Sequence, residues 1–386
     1  MHRPKPTEPR FEILQPAALA EWTRPVSDRA ELLHPGGRGR GIELTPARTL
    51  RCDPPKNLVD PNFFFSGPNR SIVEYTVGPQ RVDALSDALI IGPKAVVAAG
   101  GRVFQETYWS DANLDDGVRF KRIRLKMQMS PMGDAVTLNP ALCRIPVEPL
   151  PRWSEAAVLL AQPWAHNWHH WLLDSLTRLM LIADWPEFAA LPVIVPGELT
   201  KPQADSLRAL GIDDARWRRL AHDVHEVATL IIPQPGGFAP EILQRLRSAL
   251  GGSGGSGRKH LYISRSDAPT RRVTNEAEVL AALQPYDVQC VTLSGLSFAE
   301  QRALFAEAGF IIGPHGAGLT NSLFSHGTAH VIELHPDDNA NGCFRLTTAA
   351  WHQSHDFLTG PVVDPQTRDF RIDPAVVRRA VEGWLV

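Results

Sequence analysis

The chain has 386 residues, 43% of them apolar and 21% charged, with a net charge of −2. That length suits two domains of roughly 150 residues, and the composition is that of a globular protein with a sizeable core. A near-neutral chain with no long basic run argues against a nucleic-acid partner.

The first residues, MHRPKPTEPRFEIL, lack the apolar run of a signal peptide. No segment approaches the roughly 20 apolar residues of a membrane span. The expectation is a soluble cytoplasmic protein, with peripheral contact at the inner membrane face left open. Cys52, Cys143, Cys290 and Cys343 have no paired spacing, which fits buried thiols in a reducing compartment better than disulfides or a zinc site. Residues 1–150 carry short β-prone runs such as SIVEYTV, ALIIG and AVVAAGGRVFQETYW among turn residues, and read as a β-rich region.

Beyond residue 150 strands and helices alternate. AAVLLAQ reads as a strand, NWHHWLLDSLTRLMLIADW as a helix, LPVIVP as a strand, KPQADSLRAL as a helix closed by Gly211, and EVATLIIP as a strand. PQPGGF, at 233–238, reads as an interdomain hinge, followed by the helix APEILQRLRSAL. The glycine-serine tract 251–257 reads as a flexible spacer, of the kind used in place of a loop. The alternation then restarts with HLYIS, NEAEVLAAL, VQCVTL, SFAEQRALFAEA, FIIG, GAGLTNSLF and HVIEL. Asn275 with Glu278, and Ser297 with Glu300, have capping-box spacing. Such alternation implies βαβ units and parallel sheets. The predicted class is α/β, with two Rossmann-like lobes facing a cleft: 1–236 (β-rich 1–150, Rossmann-like 151–236) and 237–365, then a C-terminal helix at 366–386.

Two constellations carry chemistry. On the 167–185 helix, Asn167, His170, Asp174 and Arg178 share a stripe. A carboxylate four residues after an imidazole can fix its tautomer and raise its basicity, which suits a general base. The histidines could equally be structural, or His166, His169, His170 and Asp174 could ligate a metal. The zinc-protease pattern is not met, because Asn167 stands where it needs Glu.

The second constellation is GPHGAGLTN, 313–321, between a strand and a helix. Small residues there admit a ligand close to the backbone, and the first helical amides favour an anion. His315 could add a donor or a charge. The bland alternative is a tight turn that needs glycine for its shape. Glu333 ends the next strand, where a carboxylate can accept from a ribose diol. Arg265 ends the YISR strand, and Arg271 and Arg272 follow. Guanidinium forks suit phosphate oxygens, whereas Arg271 reads as solvated surface. Together these describe a nucleoside diphosphate site.

NWHHWLLDSLTRL, YISRSDAPTRRVTNEAEV and FAEQRALFAEAGFIIGPHGAGLTNSLFSHGTAHVIELHP resemble, in this order, the signature blocks of family 61 glycosyltransferases. The resemblance spans roughly 160–336. It implies a GT-B fold and inverting sugar transfer without a bound metal or other cofactor. The donor is expected to be a nucleotide sugar, UDP-linked, and the acceptor a glycan or glycolipid, in bacterial polysaccharide biosynthesis. It places the catalytic roles on Asn167, His170 and Asp174, with either of the last two as base. It places donor binding on Arg265, Arg272, Asn275, His315, Gly316, Ala317, Gly318, Leu319, Asn321 and Glu333. The competing readings are a protein that binds nucleotide sugar or glycan without turnover, and a metal-dependent hydrolase built on the histidine cluster.

Overall fold

A computed structural model describes residues 10–51, 74–107, 141–145, 150–222, 224–252, 255–338 and 342–385. Cys52, the start of SIVEYTV, Tyr108–Trp109 and part of the glycine-serine tract lie outside the described residues. The chain groups into two compact units. One draws on 1–47, 78–200 and 212–237, the other on 48–77, 201–211 and 238–386. Both are mixed α/β, the class expected from the alternation.

In the first unit, four parallel strands stand in the order Trp217–Leu220, Val193–Pro196, Arg152–Leu159, Val224–Gln234. In chain order that is 3-2-1-4, the order of a Rossmann half. Its switch point, where strand order reverses, lies between Arg152–Leu159 and Val224–Gln234. The Trp217–Leu220 strand was not anticipated, because WRRL carries two arginines and no apolar alternation. The sheet then continues antiparallel: Val224–Gln234 pairs with the long Gln80–Ile91 strand, which pairs with Val96–Ala99. Leu85, Ile90, Val97, Leu159, Ile194 and Leu230 pack into this unit's core.

The second unit holds a five-stranded parallel sheet in the order Val288–Val291, Lys259–Ile263, Ala308–Pro314, His330–Pro336, Ser354–Gly360. That is 2-1-3-4-5, a doubly wound order whose switch point falls between Lys259–Ile263 and Ala308–Pro314. Every residue of His330–Pro336 is buried, as expected of a parallel strand covered on both faces. Tyr262, Phe310, Ile312, Ile332 and Val377 form the core beside it.

Of the two anticipated capping boxes, Ser297–Glu300 forms: Ser297 Oγ accepts from Glu300 N, and Glu300 accepts from Ser297 N. Asn275 does not cap its helix. Its amide instead joins the backbone of Ile372, donating from Nδ2 to the carbonyl (2.9 Å) and accepting the N–H at Oδ1 (3.1 Å). The described part of the glycine-serine tract is held down. Gly255 N donates to Ala306 O (2.8 Å) and Ser256 Oγ to Glu307 (2.6 Å). Cys290 is exposed rather than buried. No helix among the described residues is long and apolar enough to cross a membrane.

Candidate active site

In each unit, part of the set singled out from sequence follows the C-terminal end of strands that border the switch point, where open α/β sheets bind ligands: Asn167, His170 and Asp174 in the first, Arg265 and the His315 loop in the second.

In the first unit the Arg152–Leu159 strand runs into a loop and then a helical stretch from Trp168 to Ile182. Asn167 is its N-cap, with Oδ1 accepting from His169 N (2.9 Å). That is a structural use of a residue expected to be catalytic. His170 Nδ1 lies 2.6 Å from Asp174 Oδ2, and both side chains are about one-third exposed, at 35% and 36%. The segment Trp171–Leu176 is wound as a π-helix, a form found most often as a single turn at functional sites. It carries Asp174. Arg178, buried, donates Nε to the Asp174 carbonyl (2.9 Å), and burial pushes its guanidinium down to about 10.

Gln162 ties the loop to the helix, accepting from Trp164 N (2.7 Å) and donating to the His170 carbonyl (3.4 Å). The Trp164 ring is 41% exposed and stacks on His170, centroids 6.0 Å apart. Burial, and then the Lys94 charge, lower the pKa of neighbouring His166. Sequence reasoning missed Gln162 and Trp164, since neither belongs to a motif.

In the second unit, Arg265 follows the Lys259–Ile263 strand and the His315 loop ends Ala308–Pro314. Ala317–Phe324 is a 3-10 helix with Gly316 at its N-cap. The Arg265 guanidinium lies against Gly316: a Cβ there would sit 2.0 Å from Arg265 Nη1. Glycine leaves the guanidinium its room there, and is not needed for backbone conformation, since its φ of −178° is ordinary extended backbone. Arg265 also donates Nε and Nη2 to the Thr270 carbonyl (3.3 and 3.0 Å). Burial, and then the nearby Arg271 charge, lower its pKa to about 10.

Glu333 sits in a ring of imidazoles. His315 Nδ1 is 2.5 Å from Oε1, His335 Nε2 3.2 Å from Oε1, and His355 Nε2 3.2 Å from Oε2. The four residues are 1% (Glu333), 9% (His315), 0% (His335) and 4% (His355) exposed. Burial alone would raise the Glu333 pKa, but His335 and His315 overcome it and hold the carboxyl well below the usual range. A carboxylate so enclosed is not open to a ribose diol in this structure. Burial is the largest influence on His315 and lowers its pKa, against the opposing pull of the Glu333 carboxylate.

His315, Glu333 and His335 are also the described residues whose donor atoms converge closely enough for a metal, within 4.8 Å. Here those atoms face one another as imidazole and carboxylate. The histidine-rich helix forms no such group among the described residues.

The other expected donor residues are placed as follows. Leu319 and Asn321 are buried in the 3-10 helix, with Asn321 Nδ2 donating to Gln301 Oε1 (2.8 Å). Ala317 and Gly318 remain partly exposed. Asn275 is taken by Ile372. Arg272 gives Nε and Nη2 to Asp369 Oδ2 (2.9 and 2.6 Å).

Residues 168–332 match the protein-family model described as Glycosyltransferase 61. A curated relative from Drosophila melanogaster, an EGF domain-specific O-linked N-acetylglucosamine transferase, is 40% identical over 87 residues. That alignment covers 22% of this chain and 16% of the relative, so the chain spans about a sixth of the relative's length. The family 61 stretch contains the His170–Asp174 pair, Arg265, Arg271 and the whole His315 loop. It begins one residue after Asn167 and ends one residue before Glu333.

Proposed function

We propose that this chain is an inverting glycosyltransferase of the GT-B type. It moves a sugar from a nucleoside diphosphate, expected to be UDP, to a hydroxyl of a glycan or glycolipid acceptor. The observation that carries this reading is the switch-point seat: a half-buried Arg265 laid across Gly316 at the mouth of a 3-10 helix, inside the matched family 61 stretch.

The chemistry follows from the groups present. His170, oriented by Asp174, takes the proton of the acceptor hydroxyl as its oxygen bonds to the anomeric carbon. The bond from that carbon to the donor phosphate breaks on the opposite face, its electron pair leaving with the nucleoside diphosphate and inverting the centre. Arg265 and the amides opening the 3-10 helix oppose the growing phosphate charge, so they act more strongly on the transition state than on the ground state. His170 then passes its proton to solvent. No bound metal is invoked in this scheme. The relative's name makes UDP-N-acetylglucosamine the first donor to try.

The test is a thermal-shift screen with nucleotides and nucleotide sugars, followed by assay of nucleotide release with candidate glycan acceptors. A bound donor raises the melting temperature by mass action. Stabilisation together with acceptor-dependent release supports transfer. Stabilisation without release across an acceptor panel makes the chain a binding protein instead, and no stabilisation by any nucleotide removes the donor reading.

A further inference from the structure

Arg271 and Arg272 are adjacent in sequence and differ in everything else. Arg272 is engaged: its backbone N–H, Nε and Nη2 all donate to the Asp369 carboxylate. Arg271 has φ of +56°, in the left-handed region, which costs a non-glycine residue roughly 1–2 kcal/mol. Something must hold it there. Arg271 N donates to Thr367 O (2.9 Å), Phe370 N to Arg272 O (3.0 Å) and Thr274 N to Phe370 O (2.8 Å). The segment is thus zipped to 367–370, and the turn sends its two guanidinium groups different ways.

The Arg271 side chain is partly buried, and its Nε is enclosed without a hydrogen-bond partner. Ion pairs in this region run Arg272–Asp369 and Arg368–Asp338. Among the described residues, neither Arg265 nor Arg271 makes a close ion pair: Asp267 and Asp369 act on Arg265, and Glu333 on Arg271, only from a distance. The two are coupled mechanically, since the Arg265 fork holds the carbonyl of Thr270, the residue just before Arg271. The Arg271 charge lowers the pKa of Arg265 and, more weakly, that of His315 in the glycine loop. Two largely desolvated guanidinium groups with no carboxylate in direct contact suit an anion of matching charge.

The geometry points to Arg271, acting with Arg265 and the Gly316–Leu319 turn, as the arginine that grips the diphosphate of a nucleoside-diphosphate donor, while Arg272 only holds the backbone. This assignment rests on the donor reading above and replaces the arginine expected from sequence.

Calorimetric titration separates the two arginines. Wild type, Arg271→Ala, Arg271→Lys and Arg272→Ala are each titrated with inorganic pyrophosphate and with UDP, GDP, ADP and CDP. Arg271→Ala is expected to weaken pyrophosphate and the nucleotide that wild type prefers by about 10–100-fold, the range for lost charge-assisted hydrogen bonds. Arg271→Lys keeps the charge without the fork and should fall between, which preserves the comparison if the alanine variant does not fold. Arg272→Ala should melt earlier yet bind within about twofold of wild type, well under the 1.4 kcal/mol that a tenfold change represents. If wild type binds none of these probes, the donor reading falls and this assignment with it. If wild type binds but both Arg271 variants bind equally well, or Arg272→Ala is the weak binder, the assignment alone is overturned.

Discussion

His170 Nδ1 and Asp174 Oδ2 lie 2.6 Å apart across one turn of the same helix. An ionised carboxylate only accepts, so the ring must present its Nδ1–H there and keep the lone pair of the neutral form on Nε2. That is the tautomer a base needs if it works from its outer nitrogen.

Asp174→Asn should therefore reverse the tautomer, because an amide can donate to Nδ1. Turnover is expected to fall about 10²–10⁴-fold, on the scale of His170→Ala and of base catalysis in general. Donor affinity, measured separately, should be unchanged. If His170→Ala turns over near normally while Asp174→Ala does not, the base is Asp174.

Gly316→Ala would bring a Cβ within 2.0 Å of Arg265 Nη1. The obstructed atom ends a flexible side chain, so the fold should adapt with a melting temperature within about 3 °C of wild type, as for a loss under 1 kcal/mol. The displaced guanidinium should weaken donor binding by about tenfold, one charge-assisted hydrogen bond. Equal loss of stability and binding would mean that the glycine serves only the turn.

Asn275→Ala leaves the N–H and C=O of Ile372 without their side-chain partners. Unsatisfied buried backbone groups cost about 1–3 kcal/mol, readable as a lower urea midpoint at unchanged slope. A neutral result would show that water replaces the amide.

Glu106 accepts from Leu19 N (2.9 Å), and burial pushes its carboxyl up to about 7 from 4.5. The folded state therefore holds a proton that the unfolded state has lost. The associated stability is complete below pH 4.5 and disappears as pH rises through about 7. At about 1.4 kcal/mol per pKa unit this amounts to roughly 3 kcal/mol. Glu106→Gln keeps the bond to Leu19 and should flatten the decline in denaturation midpoint across that window. Parallel curves for the two proteins would place the titration elsewhere.

Much of this molecule is legible in its sequence, and the limits have physical causes. Parallel strands announce themselves as apolar runs, so FIIG and VIVP were read correctly, whereas WRRL hides its strand behind charge. Ser297 and Asn275 have the same capping-box spacing. Only Ser297 caps, because Ile372, 97 residues away, claims the Asn275 amide. Spacing describes a local option, and tertiary partners decide whether it is used. Nothing in TRRVTN tells which arginine adopts a positive φ, so Arg271 read as surface. Glu333 looked free because His315 and His355 arrive from the two neighbouring strands, while His335 stands two residues along its own strand. The Trp171–Leu176 winding leaves no mark that distinguishes it from an α-helical stripe.

The zipper between 271–275 and 367–372 makes the last stretch of chain responsible for how residues a hundred positions earlier are aimed. The family-matched block stops at residue 332. A fragment cut at that border would retain every arginine and every glycine of the seat, yet have nothing to keep Arg271 in its left-handed pose. Deletion mapping would then report a remote C-terminal ligand contact where there is only a brace.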